Sequence, residues 1–294
     1  MLDVAFASEA SGGGFDKITR PYLEGLGDRL AAWVDHHDHA YHQRYADDPR
    51  FVLSTKAEHG ACPEMVTPEL VERIGAIDTI VCHTDFDGIA SAAKWLRGGV
   101  EPYPGCDDDA RAIDTRVGAI GPTGQRFDAA IRARGRDHNF LRVVLEHLTS
   151  GLADAALWQP IDAAAQELEA QRSEARRLSA KYTKLEIARP WRAAEGKPLV
   201  HHIAYLEVPS KHGRYDKTEL LLLGQQRATV AALVDGDTAT FAAPFESGID
   251  FLARFSLSGG MPTLVSMPKK RLLECLRALG VGEDELLLRL GGSS

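Results

Sequence analysis

Short apolar runs alternate with helical patterns through the first half of the chain. Residues 30–34 and 79–82 are apolar stretches of strand length, and each gives way at once to polar residues, as the ends of buried strands do. After the second run, Gly88 permits a tight turn. Residues 89–97 have helical composition and run into Gly98-Gly99, a pair that stops helices. Repeated strand, loop and helix units predict an α/β fold for residues 1–157, with a mostly parallel sheet flanked by helices.

The pattern changes between residues 160 and 185. Ile161, Leu168, Ala175 and Tyr182 recur every seven positions, with Ala164, Leu178 and Leu185 offset by three and with Glu and Arg in much of the remainder. This predicts one long amphipathic linker helix within residues 158–190, stopped at Arg189-Pro190-Trp191. Its stripe is compatible with a homodimer formed against a second copy. Residues 191–294 then read as a smaller α+β domain. It has a strand at 199–208, a hairpin whose arms at 229–234 and 238–243 flank Asp235-Gly236-Asp237, and a closing helix at 269–279.

Composition narrows the class without naming a chemistry. A chain of 294 residues, 44% hydrophobic and 26% charged, is long enough for two separate cores. Cys62, Cys82, Cys106 and Cys275 are scattered without zinc or redox spacing, so reduced thiols are expected. No basic and apolar leader opens the chain, and no window approaches eighteen uninterrupted apolar residues, so a soluble cytoplasmic protein with no membrane partner is expected. The net charge of −8 argues against a grip on long duplex nucleic acid, which calls for a basic stripe. Small phosphorylated or short nucleotide substrates need only local cations.

Candidate chemistry sits in two strings, Asp35-His36-His37 and His83-Thr84-Asp85-Phe86-Asp87-Gly88, each placed just after one of the apolar strands. Ligand sites in open α/β sheets lie beyond the carboxyl ends of strands, where both strings fall. Asp85 and Asp87, two residues apart, can point the same way in an extended turn and offer hard anionic oxygens to adjacent cations. A mixed shell of carboxylate and imidazole without thiolate suits octahedral Mn²⁺, with Mg²⁺ or Co²⁺ as substitutes, better than a structural zinc. Either string by itself is an ordinary solvated turn. Their joint occurrence points to a two-metal site.

These strings resemble the DHH family of phosphoesterases, whose name is the triplet at 35–37 and whose first motif is similar to residues 83–92. The family includes single-strand exonucleases, nanoRNA and cyclic-dinucleotide phosphodiesterases, and inorganic pyrophosphatases. The resemblance implies two Mn²⁺ ions between a catalytic α/β domain, residues 1–157 here, and a C-terminal substrate domain, residues 191–294. In the family the Asp-X-Asp-Gly motif precedes the triplet, whereas here it follows by nearly fifty residues, as in a circular permutation.

Carried over residue by residue, the resemblance makes Asp85 a ligand of one metal, joined by His83, and Asp87 and His36 ligands of the other. His37 matches the neighbour that contacts substrate phosphate. Asp35 orients these histidines, as carboxylates behind metal-binding imidazoles do. The bridging aspartate is best matched by Asp3, with Asp16 as fallback. The fourth is best matched by Asp114, with Asp109 as runner-up in a run that also reads as a helix N-terminus. Arg254, Gly259 and Gly260 resemble the family's phosphate-facing elements, although a Gly-Gly-His loop common in relatives is missing and a plain strand and turn explains the glycines equally well. Lys211, His212 and Arg214 are a further basic loop. His39 and His42 read as surface or supporting residues, His59 as lining the cleft, and His201-His202 as an ordinary strand pair.

The expected function is hydrolysis of a phosphoester or phosphodiester in a short oligonucleotide, cyclic dinucleotide or related small nucleotide, by a water activated between two metals and held by Asp3. A pyrophosphatase is the nearest enzymatic alternative. A nucleotide-binding sensor without turnover is the alternative from another class.

Overall fold

The computed structural model describes residues 1–7, 13–209, 212–257 and 261–291. It is a mixed α/β protein that divides into two compact units, one made of Met1–Phe6 and Arg20–Ala170, the other of Ala7–Thr19 and Gln171–Ser294.

In the first unit, helix α1 (Arg20–Leu26) leads to strand β1 (Trp33–Asp35), which pairs in parallel with β2 (Phe51–Leu53). Leu2 extends this array as a bridge, parallel both to Val34 of β1 and to Cys82. The amide of Asp3 donates to the Val34 carbonyl at 2.9 Å, and that of Leu2 to the Val81 carbonyl at 2.9 Å. The strand expected over 79–82 is thus a single bridge at Cys82, and the one expected over 30–34 begins later, at Trp33.

Helices α2 (Pro68–Ile74), α3 (Phe86–Leu96), α4 (Cys106–Thr115), α5 (Pro122–Arg134) and α6 (His138–Thr149) follow. Helix α3 is buried along nearly its whole length because Ala90, Ala92 and Ala93 admit close neighbours on every side. Phe86 and Ile89 join Phe127, Phe140, Val144 and Leu148 in one core, while Ala92 and Trp95 pack with Leu2, Val34 and Met65 in another. The helix ends at Gly98 and Gly99, whose φ angles of 70° and 85° suit glycine.

Helix α7 (Trp158–Ser179) carries the predicted heptad stripe but stops short of residue 185. Tyr182 and Leu185 are buried from another element, because β3 (Thr183–Trp191) is a strand paired antiparallel to β4 (Val200–Val208). Arg189-Pro190-Trp191 belongs to that strand rather than to a helix stop. The stripe itself is spent inside the chain: Ile161 and Ala164 pack in the first unit's core, Ala175 and Leu178 in the second's. It is therefore not a surface seam for a second copy.

The second unit is built on the sheet β3-β4-β5-β6-β7, completed by β5 (Val230–Asp235), β6 (Thr238–Ala242) and β7 (Leu264–Pro268). Helix α8 (Lys217–Gln225) makes the crossover to the one parallel pairing, β4 with β5, and the other three pairings are antiparallel. The mostly parallel sheet expected for residues 1–157 comes down, among the described strands, to the pair β1-β2 with its bridges, while in the second unit's sheet the tight turn at Asp235-Gly236-Asp237 and the returning chain set neighbouring strands antiparallel. Strand β5 is buried on both faces: Val230, Ala232 and Val234 face one core, with Phe241, Phe251 and Leu276, and Ala231 and Leu233 face another, with Leu178 and Leu220. Helices α9 (Phe251–Phe255), α10 (Leu272–Ala278) and α11 (Glu283–Leu290) close the unit. Among the described residues no helix is long and apolar enough to cross a membrane.

Candidate metal centre

The parallel array places chemically distinct side chains at one edge, beyond the carboxyl ends of its members. Asp3 follows Leu2, Asp35-His36-His37 completes and follows β1, Lys56 follows β2, and His83 to Asp87 follow Cys82. This is the edge of a parallel sheet where backbone direction leaves loops free to converge.

Three overlapping groups of side chains lie close enough to hold a metal ion: Asp3 with His36 and His37, Asp3 with His83 and Asp85, and His36 with Asp87 and Asp114. Asp3 and His36 are each shared by two groups. His36 Nε2 lies 3.3 Å from Asp3 Oδ1, 3.3 Å from Asp87 Oδ2 and 3.9 Å from Asp114 Oδ2. On the other side, Asp3 Oδ2 lies 3.9 Å from His83 Nδ1, which is 2.6 Å from Asp85 Oδ2.

Asp3 is 1% exposed, and neither of its carboxylate oxygens has a hydrogen-bond partner among the described residues. A buried carboxylate left so costs several kcal/mol of the order set by desolvation, roughly 1 to 3 kcal/mol for each unsatisfied group, unless something cationic meets it. Its backbone is also unusual, with φ of 55°. Asp and Asn tolerate this left-handed conformation better than other residues with a Cβ, and strain of this kind gathers at functional sites. Burial, then the nearby Asp87, pushes its carboxyl well above the ordinary range.

Each imidazole is fixed by a partner at one nitrogen. His36 Nδ1 is 2.9 Å from the His59 carbonyl oxygen, which makes Nδ1 a protonated nitrogen and turns Nε2 toward Asp3 and Asp87. His37 Nδ1 is 2.8 Å from Asp35 Oδ1, and Asp35 is fully buried, so Asp35 acts through the orientation of His37. Burial opposes charge on His36, but the Asp3 and Asp87 carboxylates outweigh it and push the pKa up to about 10. The Asp85 carboxylate likewise lifts His83 to about 9, and His83 in turn holds Asp85 below its ordinary value against the effect of burial.

Local sequence explains the placement of Asp85 and Asp87. Asp85 is the N-cap of α3, and its side chain accepts from the Gly88 amide at 3.2 Å. Asp87 in the first turn is 3% exposed and accepts from the Cys62 amide at 3.5 Å. Gly88 is required by space: a Cβ there would stand 2.5 Å from the His83 carbonyl oxygen.

Of the alternatives read from sequence, Asp109 is placed elsewhere. It is buried and accepts from the Tyr103 hydroxyl at 2.8 Å and from the amides of Gly121 and Gly124, so it ties α4 to α5. Asp16, in the helical turn Phe15–Thr19, joins none of the three groups. His39 and His42 pack their rings on Phe6, at 5.6 and 5.1 Å between centroids. His202 meets the Arg227 carbonyl within the second unit. Arg254 also belongs to that unit, its guanidinium 3.3 Å above the Trp191 ring centroid. Gly259, Gly260 and Lys211 lie outside the described residues.

Three contributors went unread in the sequence. The His59 carbonyl and the Cys62 amide are backbone groups with no residue signature. Lys56, whose ammonium contacts Asp114 Oδ2, sits in a polar turn like many others. No protein-family model, curated protein or solved structure matches the chain.

Proposed function

We propose that the first unit holds two divalent cations and hydrolyses a phosphoester or phosphodiester bond in a short nucleotide, as a phosphoesterase of the DHH kind with permuted motif order. The observation that carries this reading is the sharing of Asp3 and His36 among three ligand groups, with both Asp3 oxygens buried and without a hydrogen-bond partner among the described residues. Asp3, His83 and Asp85 would hold one cation, and Asp3, His36, Asp87 and Asp114 the other. The oxygen-rich donor set favours Mn²⁺, with Mg²⁺ or Co²⁺ as substitutes. When bound, such a pair of cations supplies Lewis acidity at the phosphoryl group and lowers the pKa of water.

The chain's own residues do the remaining work. Asp3 is positioned to bridge, because its two oxygens face different imidazoles, His36 and His83. His37, held at Nδ1 by Asp35, keeps Nε2 for a phosphoryl oxygen. The test is turnover by metal-stripped protein resupplied with Mn²⁺, over a panel of cyclic dinucleotides, di- to pentanucleotides, nucleoside monophosphates and pyrophosphate. At least one phosphoester should be cleaved, and Asp87→Ala should abolish cleavage while melting near the wild type. Full activity in Asp87→Ala, or no turnover of any substrate by a protein that has taken up two ions, would sink the reading. Cleavage of pyrophosphate alone would identify a pyrophosphatase.

A further inference from the structure

One side chain at this centre has a charge the proposed ligand set does not use. Lys56 Nζ contacts Asp114 Oδ2, and the two side chains are only 13% and 18% exposed. Among the described residues the ion pairs found for Asp3, Asp85 and Asp87 are all with imidazoles, so the ammonium that Lys56 brings to Asp114 is the one lysine charge paired with the four proposed carboxylate ligands. Its position is built rather than incidental. The amide of Ser54 donates to the Asp35 carbonyl at 2.9 Å, which anchors one end of the turn at the end of β1. The amides of Glu58 and His59 both donate to the Thr55 carbonyl, at 3.0 and 2.9 Å, which closes the turn around Lys56. The other end is the His59 carbonyl that meets His36 Nδ1. A single turn therefore orients the imidazole ligand and delivers an ammonium to the carboxylate ligand beside it.

Charge decides what that ammonium does. The carboxylates of Asp3, Asp85, Asp87 and Asp114 would balance two divalent cations, and the imidazoles would then bind as neutral ligands. Lys56 is left as a surplus positive charge at the centre, suited to an anionic oxygen of the substrate. We infer that Lys56 is a substrate-contact residue: it neutralises Asp114 in the cation-free protein, gives up that carboxylate to the second cation, and then binds a phosphoryl oxygen. The inference rests on the two-cation reading above.

Wild type, Lys56→Met and Lys56→Arg are titrated calorimetrically with Mn²⁺ alone, then with inorganic phosphate at saturating Mn²⁺. All three should take up two ions. Lys56→Met should bind the second ion about tenfold more tightly, having no ammonium to displace, and phosphate about tenfold more weakly. Lys56→Arg should keep most of the phosphate affinity. Lys56→Gln serves for the same comparison if the Met variant does not fold. Unchanged phosphate affinity in a variant that takes up two ions overturns the role of Lys56 alone. Fewer than two ions in the wild type overturns the two-cation reading, and this inference with it.

Discussion

At the scale of single residues, the chain spends stability in two different ways. Asp3 combines a left-handed backbone with a buried carboxylate that has no hydrogen-bond partner among the described residues and only the imidazoles of His36, His37 and His83 within ion-pair distance. His147 is also fully buried, and neither ring nitrogen has a hydrogen-bond partner among the described residues, but its surroundings are aromatic. It packs edge-on to Trp158 at 4.6 Å and against Phe127 at 6.0 Å. Burial holds its pKa below the ordinary value, Arg126 adds to this and Asp154 opposes it. The folded form thus takes up a proton less readily than the unfolded chain. Its share of stability is complete above the unfolded pKa of about 6.5 and declines as the pH falls through that value toward the folded pKa. His147→Leu should be no less stable than the wild type at pH 8 and should lose less stability between pH 7 and 5, measured by urea unfolding. An equal loss in the two proteins would remove His147 from the acid response.

At the scale of elements, the end of each parallel segment and the start of α3 do the positioning. Asp85 caps the helix, Asp87 follows in its first turn, and Gly88 lets the His83 carbonyl approach. Gly88→Ala should leave the helix propensity improved yet cost about 1 to 3 kcal/mol through the clash with the His83 backbone. It should also weaken Mn²⁺ uptake, because His83 and Asp85 must move with that backbone. Thermal melting with a Mn²⁺ titration checks both, and an unperturbed melting temperature would show that the loop yields freely. Legibility differed between neighbouring elements for a physical reason. The largely apolar run of β4 and the turn at Asp235-Gly236-Asp237 are local signals, and both elements appear where expected. The stretch after Ser179 is different. Tyr182 and Leu185 continue a heptad by spacing, but Leu185 and Ile187 are buried between exposed Lys184, Glu186 and Ala188, the period of a strand. Pairing with β4 decided between the two periods, and that partner lies outside any local window.

At the scale of the whole molecule, the proposed ligands all belong to the first unit, whereas the second has cores of its own on both faces of its sheet. Cation binding should therefore protect the molecule unevenly. At Mn²⁺ a hundred times its Kd, linkage predicts about 2.7 kcal/mol of added stability. Hydrogen exchange should slow in β1, in α3 and around Asp3, with β5 and β6 unaffected. Uniform slowing in both units would mean that they unfold together, and no slowing in either would count against the site.

Much of the centre was readable from residue types and spacing alone. Asp35-His36-His37 follows a buried strand and the Asp-X-Asp-Gly string follows the short apolar segment 79–82, half-exposed and reduced to a single bridge at Cys82, so local order was enough to put carboxylates and imidazoles after apolar segments. Order along the chain says nothing about which strand ends adjoin. The parallel bridges that set Leu2 between Val34 and Cys82 bring Asp3 to His36 and His83, and the last turn of α4 brings Asp114 to His36. Tertiary packing also spent Asp109 on backbone amides and set Lys56 against Asp114, choices among chemically equivalent side chains that depend on distances in space. Side-chain chemistry is carried by each residue wherever it lies, whereas a shared ligand exists only once separate segments are held together.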